Sequence, residues 1–154
     1  MKGLVIRRAQ AKDAGMLADL DRACFSDPWS LKSYQEELET NVYAFYLLAE
    51  VDGRPAGYAG LWCILDEGHI TNVAVLPHFR GKHIASALLQ ELMAQTGALG
   101  LTAYTLEVRR SNHAAIRLYE QFGFRVEGVR PHYYQSDGED ALLMWKREEK
   151  EGNR

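Results

Sequence analysis

Arg80, Lys82 and His83 crowd into one short stretch, FRGKHIAS, directly before apolar residues that recur at helical spacing: Ile84, Leu88, Leu89, Leu92 and Met93. A helix N-terminus carries partial positive charge, so each cation there is unfavourable by roughly 0.3–1 kcal/mol when the segment faces water. A bound polyanion reverses that sign, because free amides, the helix dipole and the basic side chains then all attract it. A phosphate group is the ligand part that fits. Charge pattern alone leaves a solvated basic turn equally open. The chain contains neither G-x-x-x-x-G-K-S/T nor G-x-G-x-x-G, so neither a P-loop NTPase nor a Rossmann dehydrogenase is favoured.

Such a mouth needs a strand that ends there and a helix that starts there. ITNVAVL runs up to Pro77, the basic segment follows, and the helical pattern continues to about Thr96 before Gly97 and Gly100. LTAYTLEVR then alternates, with Tyr104, Leu106 and Val108 on one face and Thr105, Glu107 and Arg109 on the other. Strand, helix and strand form a βαβ unit, expected to be parallel and right-handed. Open α/β sheets bind ligands beyond the carboxyl ends of their strands, where FRGKHIAS falls.

The remaining elements follow from pattern and punctuation. LVIRR reads as a first strand, and KDAGMLADLDRACF as a helix on Met16, Leu17, Leu20 and Phe25. SDPWSLKSYQEELE is a second helix, with Asp27 or Ser30 as N-cap and Pro28 suited to the first helical position. YAFYLLAEV, Asp52-Gly53 and RPAGYAGLWCIL make a hairpin, and a second turn, DEGH, leads into ITNVAVL. SNHAAIRLYEQFGF is a short helix capped by Ser111 or Asn112 and stopped by Gly123. FRVEGVRPHYY and DALLMWK close the fold as a hairpin around Asp137-Gly138, and KREEKEGNR is a frayed end. The expected fold class is α/β: a mixed, mostly antiparallel sheet of about seven strands with about four helices and a parallel βαβ core. One domain over residues 1–147 and a solvated tail over 148–154 follow.

A chain of 154 residues that is 47% hydrophobic and 25% charged suits one core, and a net charge of -3 argues against nucleic acid or an anionic membrane as partner. The apolar runs 42–51 and 58–65 fall short of the ~20 residues that span a bilayer. The N-terminus lacks a secretory core, so a cytoplasmic location is the default. Cys24 and Cys63 stand far apart without metal or redox spacing, and His69, His78, His113 and His132 offer no ligand pattern. No metal is expected, and a monomer is favoured.

ITNVAVLPHFRGKHIASALLQELM resembles the acetyl-coenzyme A motif of the GCN5-related N-acetyltransferases (GNAT), whose Arg/Gln-x-x-Gly-x-Gly/Ala loop cradles the cofactor pyrophosphate. Arg80 and Ala85 fill the first and last positions, while His83 replaces the middle glycine. In right-handed helical geometry an ordinary residue still presents its amide, so the replacement is expected to be tolerated. CFSDPWS, LEVRRSNHAAIRLYEQFGF and RPHYY, in that order, resemble the RimI type of ribosomal-protein-alanine N-acetyltransferase. The resemblance implies a single GNAT-like domain and acetyl-CoA as cosubstrate, held by Arg80, Gly81, Lys82, His83, Ile84, Ala85 and Ser86. The acceptor implied is the N-terminal alanine of a small-subunit ribosomal protein.

Acetyl transfer from a thioester needs a neutral amine, a stabilised oxyanion and a proton for the departing thiolate. A peptide α-amine, with a pKa of ~7.7–8.0 against ~10.4 for lysine, asks little of a base at neutral pH. Glu107 is the candidate base, the role the resemblance gives its matching glutamate; pairing with Arg109 or Arg110 is the alternative use. Tyr119 is the candidate acid and also a cofactor contact, matching the family's tyrosine, against a plain core role shared with Ala115 and Phe122 on its helix face. Asn112 either contacts the cofactor or caps its helix, or both. The backbone of Val73, Ala74 and Val75 would pair with the pantetheine arm as an added strand. Trp29, Glu67, Tyr133 and Tyr134 are the candidate acceptor-binding residues, with Glu67 attracting the cationic N-terminus. Transfer to a small amine or a lysine side chain, and a non-catalytic CoA-binding module, are the rival readings.

Overall fold

The middle of the sheet is decided by period-two alternation of apolar residues. In the computed structural model, which describes residues 3–147, β2 (Ala44–Val51) sends Phe45, Leu47, Ala49 and Val51 into one buried cluster and Tyr46 and Leu48 into another. β3 (Arg54–Ile64) divides likewise, with Ala59 and Leu61 opposed to Tyr58. Covered on both faces, these strands read as near-continuous apolar runs. Asp52 and Gly53 join them with φ of 51° and 80°, the paired positive values of a type I′ hairpin.

Helices α1 (Ala14–Cys24) and α2 (Leu31–Glu39) cover the tyrosine face through Leu17, Leu20 and Tyr34. α3 (Ile84–Ala98) and α4 (His113–Gln121) cover the other, through Leu88, Leu89 and Leu92 and through Tyr119. The remaining strands are β1 (Leu4–Arg8), β4 (Glu67–Val75), β5 (Ala103–Arg109), β6 (Arg125–Arg130) and β7 (Ala141–Arg147). The seven strands lie in the order β1-β2-β3-β4-β5-β7-β6. Only β4 and β5, joined by α3, run parallel. The mixed, mostly antiparallel sheet, its parallel pair and its four α-helices are those the sequence implied.

Two departures from regularity in β4 position the site. Gly60 of β3 faces Asn72 and Leu61 faces Ile70, so Thr71 is an extra residue, a bulge. Its hydroxyl bonds the Gly60 carbonyl at 3.2 Å and the Tyr46 hydroxyl at 2.9 Å. Pairing with β5 stops at His69 opposite Thr105. Beyond that point the strands part, and β4 from Asn72 to Val75 has no strand partner on its β5 side among the described residues.

Several boundaries differ from the sequence reading. Ser30 alone caps α2, accepting from the Ser33 amide at 3.0 Å, and Pro28 stays outside the helix. β4 begins at Glu67, because the turn is made by Leu65 and Asp66, with Leu65 at φ 55°. Gly68 is therefore a strand residue: a Cβ there would come within 2.7 Å of the Tyr104 ring. The last hairpin is shorter than expected, since β6 ends at Arg130 and Tyr133 and Tyr134 lie in the connection before β7. Pro131 supplies no amide to a ladder and His132 takes φ 54°. The expected solvated tail, residues 148–154, lies outside the described residues.

Candidate active site

The parted strands, the start of α3, α4 and the connections after α1 and β6 enclose a cleft of about 960 Å³. Val73, Ala74 and Val75 form one wall, and Gly81, His83, Ile84, Ala85 and Ser86 form the end. Arg80 also lines it, its Nε donating to the Val75 carbonyl at 2.9 Å. That bond fixes the guanidinium at the mouth and leaves its terminal nitrogens as further donors. Lys82 is exposed and does not line the cleft.

His83 does not adopt the right-handed helical geometry expected of it. It precedes α3 at φ 62° and ψ 20°, left-handed, and Gly81 stands at φ 78°. The loop turns twice through conformations that favour glycine, so the motif's middle glycine has a backbone reason that His83 meets only under strain. The first amides of the fifteen-residue α3 still open on the cleft end. Together with the unpaired edge of β4, this fits a ligand combining a diphosphate with an extended amide chain.

Further in, Glu107 on β5 and Tyr119 on α4 line the same cleft. Glu107 pairs with neither Arg109 nor Arg110: its Oε2 accepts from Arg130 Nε at 2.9 Å, which leaves acceptor capacity on the carboxylate. Tyr119 is 7% exposed, packs on Phe124 with ring centroids 5.6 Å apart, and its hydroxyl makes no hydrogen bond among the described residues. Burial, and then the field of Tyr134, hold its phenol above the ordinary 10.0. Asn112 does two things at once. Its Oδ1 accepts from the Ala115 amide at 3.2 Å, capping α4, while the residue lines the cleft.

Trp29, Tyr133 and Tyr134 also line the cleft, the tyrosines meeting edge to face at 5.1 Å. Burial, then Tyr133, push the Tyr134 phenol up to about 12. Glu67 is not brought here. It lies opposite Ala103, where β4 and β5 are still paired, and its carboxylate sits 3.3 Å from His69 Nε2.

The sequence reading missed residues that hold these walls. Asp21, 1% exposed, accepts from the Tyr58 hydroxyl and from the Trp29 amide, the latter at 2.9 Å. Glu37, 6% exposed, accepts from Tyr46 at 2.7 Å, from Asn41 at 2.8 Å and from the Trp62 indole, which also lines the cleft. A signal existed: both carboxylates stand on the apolar stripes of their helices, beside Leu17 and Leu20 and beside Tyr34 and Leu38. A charge on a buried face is there for a partner. Cys24 donates weakly to the Val75 carbonyl at 3.4 Å, and burial, partly offset by Arg80, raises its thiol pKa, so it stays protonated.

Residues 15–124 match the acetyltransferase (GNAT) family. A Bacillus subtilis relative, provisionally named a ribosomal protein bS18-alanine N-acetyltransferase, is 38% identical over 140 residues, covering 91% of this chain and 93% of its own. The Escherichia coli protein named ribosomal protein bS18-alanine N-acetyltransferase is 35% identical over 127 residues, covering 81% and 84%. The crystal structure of the Escherichia coli ribosomal-protein-S18-alanine N-acetyltransferase superposes with a TM-score of 0.88 at 28% identity, covering 98% of each chain. The chain therefore belongs to the GNAT family and is an N-acetyltransferase. Within that family it is similar to the RimI type.

Proposed function

We propose that the protein transfers the acetyl group of acetyl-CoA to the N-terminal α-amine of a protein, with the alanine of ribosomal protein bS18 as acceptor. The observation that carries this is the opening between β4 and β5, where Glu107 and Tyr119 line one cleft with the amide-rich start of α3. The diphosphate of acetyl-CoA would lie against Gly81 to Ser86 and Arg80, and its pantetheine arm along Val73 to Val75. Acetyl-CoA supplies an activated acyl carbon and a thiolate leaving group.

The residues divide the proton work. The neutral amine nitrogen bonds to the acyl carbon and sheds its proton to Glu107 through water, while the carbon–sulfur bond breaks and the Tyr119 hydroxyl protonates the departing thiolate. A β4 amide would steady the oxyanion between these events. Trp29, Tyr133 and Tyr134 would wall the acceptor. An α-amine suits this site better than a lysine, whose higher pKa demands more of a single carboxylate.

Incubation with acetyl-CoA and a peptide copying the bS18 N-terminus, beside an N-terminally blocked peptide with an internal lysine and a free polyamine, tests the reading by mass. Acetylation of the α-amine in preference to the other two is expected. Preference for polyamine or lysine would overturn it, as would no acetyl transfer at all.

A further inference from the structure

Arg109, the last residue of β5, is 24% exposed and lines the cleft two residues beyond Glu107. One of its terminal nitrogens donates to Asp137 at 2.9 and 3.0 Å and to Glu139 at 3.0 Å. The other reaches Ser136 at 3.3 Å and Asp27 at 3.4 Å. The guanidinium carbon stands 4.0 Å from the centre of the Tyr134 ring. These partners belong to two connections far apart in sequence: one between α1 and α2, carrying Trp29, the other between β6 and β7, carrying Tyr133 and Tyr134.

Both connections have internal order. The Trp29 amide is held by Asp21, and in the second connection the amides of Tyr134 and Gly138 donate to the carbonyls of Glu139 and Tyr134 at 3.1 and 2.7 Å. Internal bonds give each connection its shape but do not set the distance between them. Arg109, at the end of β5, bridges them, bonding Asp27 of one and Ser136, Asp137 and Glu139 of the other. A single exposed pair is worth little. Here, however, one cation faces three carboxylates, so its removal leaves like charges confronting each other at the cleft mouth. Lysine would keep the charge and lose both the fork and the ring stacking.

We propose that Arg109 is a positioning residue for the acceptor: it ties the β6–β7 connection to Asp27 across the cleft mouth and so holds Trp29, Tyr133 and Tyr134 around the incoming N-terminus. The proposal rests on the N-terminal acetyltransferase reading. Arg109 touches neither the proton path from Glu107 nor the phosphate end, so its loss acts on the acceptor and spares the cosubstrate.

Two variants test this, Arg109→Lys and Asp27→Asn, each by steady-state kinetics, by calorimetric titration of coenzyme A and by hydrogen exchange without substrate. The KM for the bS18-type peptide should rise about tenfold in Arg109→Lys and about threefold in Asp27→Asn, with coenzyme A affinity kept within about twofold in both. Exchange should quicken at Trp29, Tyr134 and Gly138 in Arg109→Lys but at Trp29 alone in Asp27→Asn. Unchanged peptide KM, or a coenzyme A affinity that falls in step with it, would overturn the proposal. If the wild-type protein acetylates no peptide, the functional reading fails, and unchanged exchange in Arg109→Lys would separately overturn the tie itself.

Discussion

In the proposed reaction Tyr119 is the general acid; burial against Phe124 raises its pKa, so the phenol carries its proton at neutral pH. Tyr119→Phe removes one oxygen and leaves the packing, so kcat should fall about 100-fold with little change in thermal stability, checked by turnover and by melting. Glu107→Gln should lose a similar factor at pH 7, and raising the pH to 9, which leaves an α-amine of pKa ~7.7–8.0 neutral, should recover no more than about tenfold of it, because Glu107 takes the proton that the nitrogen sheds on attack. A pH–rate profile of wild type against variant measures this. A variant that keeps kcat within about threefold of wild type would assign Glu107 to structure through Arg130. His83, strained at φ 62°, makes the opposite kind of prediction. His83→Gly should raise unfolding stability by about 1 kcal/mol in a urea titration while keeping the amides of the loop available.

At the scale of elements, the site exists because β4 bulges at Thr71 and parts from β5 after His69. Gly60 permits the bulge. The Tyr46 ring lies over it so closely that a Cβ would stand 2.2 Å from a ring carbon. Gly60→Ala should therefore destabilise the protein by about 1–3 kcal/mol and disturb the cleft wall, read as a lowered denaturation midpoint. The strands, the helices and the βαβ unit were legible in the sequence because each carries its own period and its own stop, such as Pro77 or Gly123. The bulge was not legible, since ITNVAVL has the same composition whether or not Thr71 is paired. Likewise the basic loop could be read as anion-binding from Arg80 and its helix, but not its left-handed turn at His83, which depends on how strand and helix must meet. Glu67 was drawn toward the acceptor by charge alone. Its placement instead depends on where β4 begins, and that was misjudged by three residues.

Over the whole molecule, ion pairs of Arg7 anchor the edge strand β1. Asp13, 2% exposed, accepts from both terminal nitrogens of Arg7 on β1, at 2.9 and 3.0 Å, and from the Gln10 amide at 2.7 Å. The Arg7 guanidinium holds its carboxyl below the ordinary 3.8. A depressed carboxyl stabilises the fold above its unfolded pKa, and that contribution is lost as pH falls through the folded value. Asp13→Asn should thus cost about 2 kcal/mol at pH 7, a fall in Tm of ~4–8 °C for a chain of this size. The gap should narrow below pH 4, where wild type loses the same bond. Among the described residues no helix is long and apolar enough to cross a membrane. Among the described residues, Arg80, Glu107, Tyr119 and the start of α3 line one cleft between β4, β5, α3 and α4.

Calorimetric titration of acetyl-CoA into the wild-type protein and into Arg80→Ala tests that convergence most directly. The account predicts saturable binding that Arg80→Ala weakens about tenfold, the loss of one charge-assisted phosphate contact. Absence of binding heat, or equal affinity in the two proteins, would contradict it.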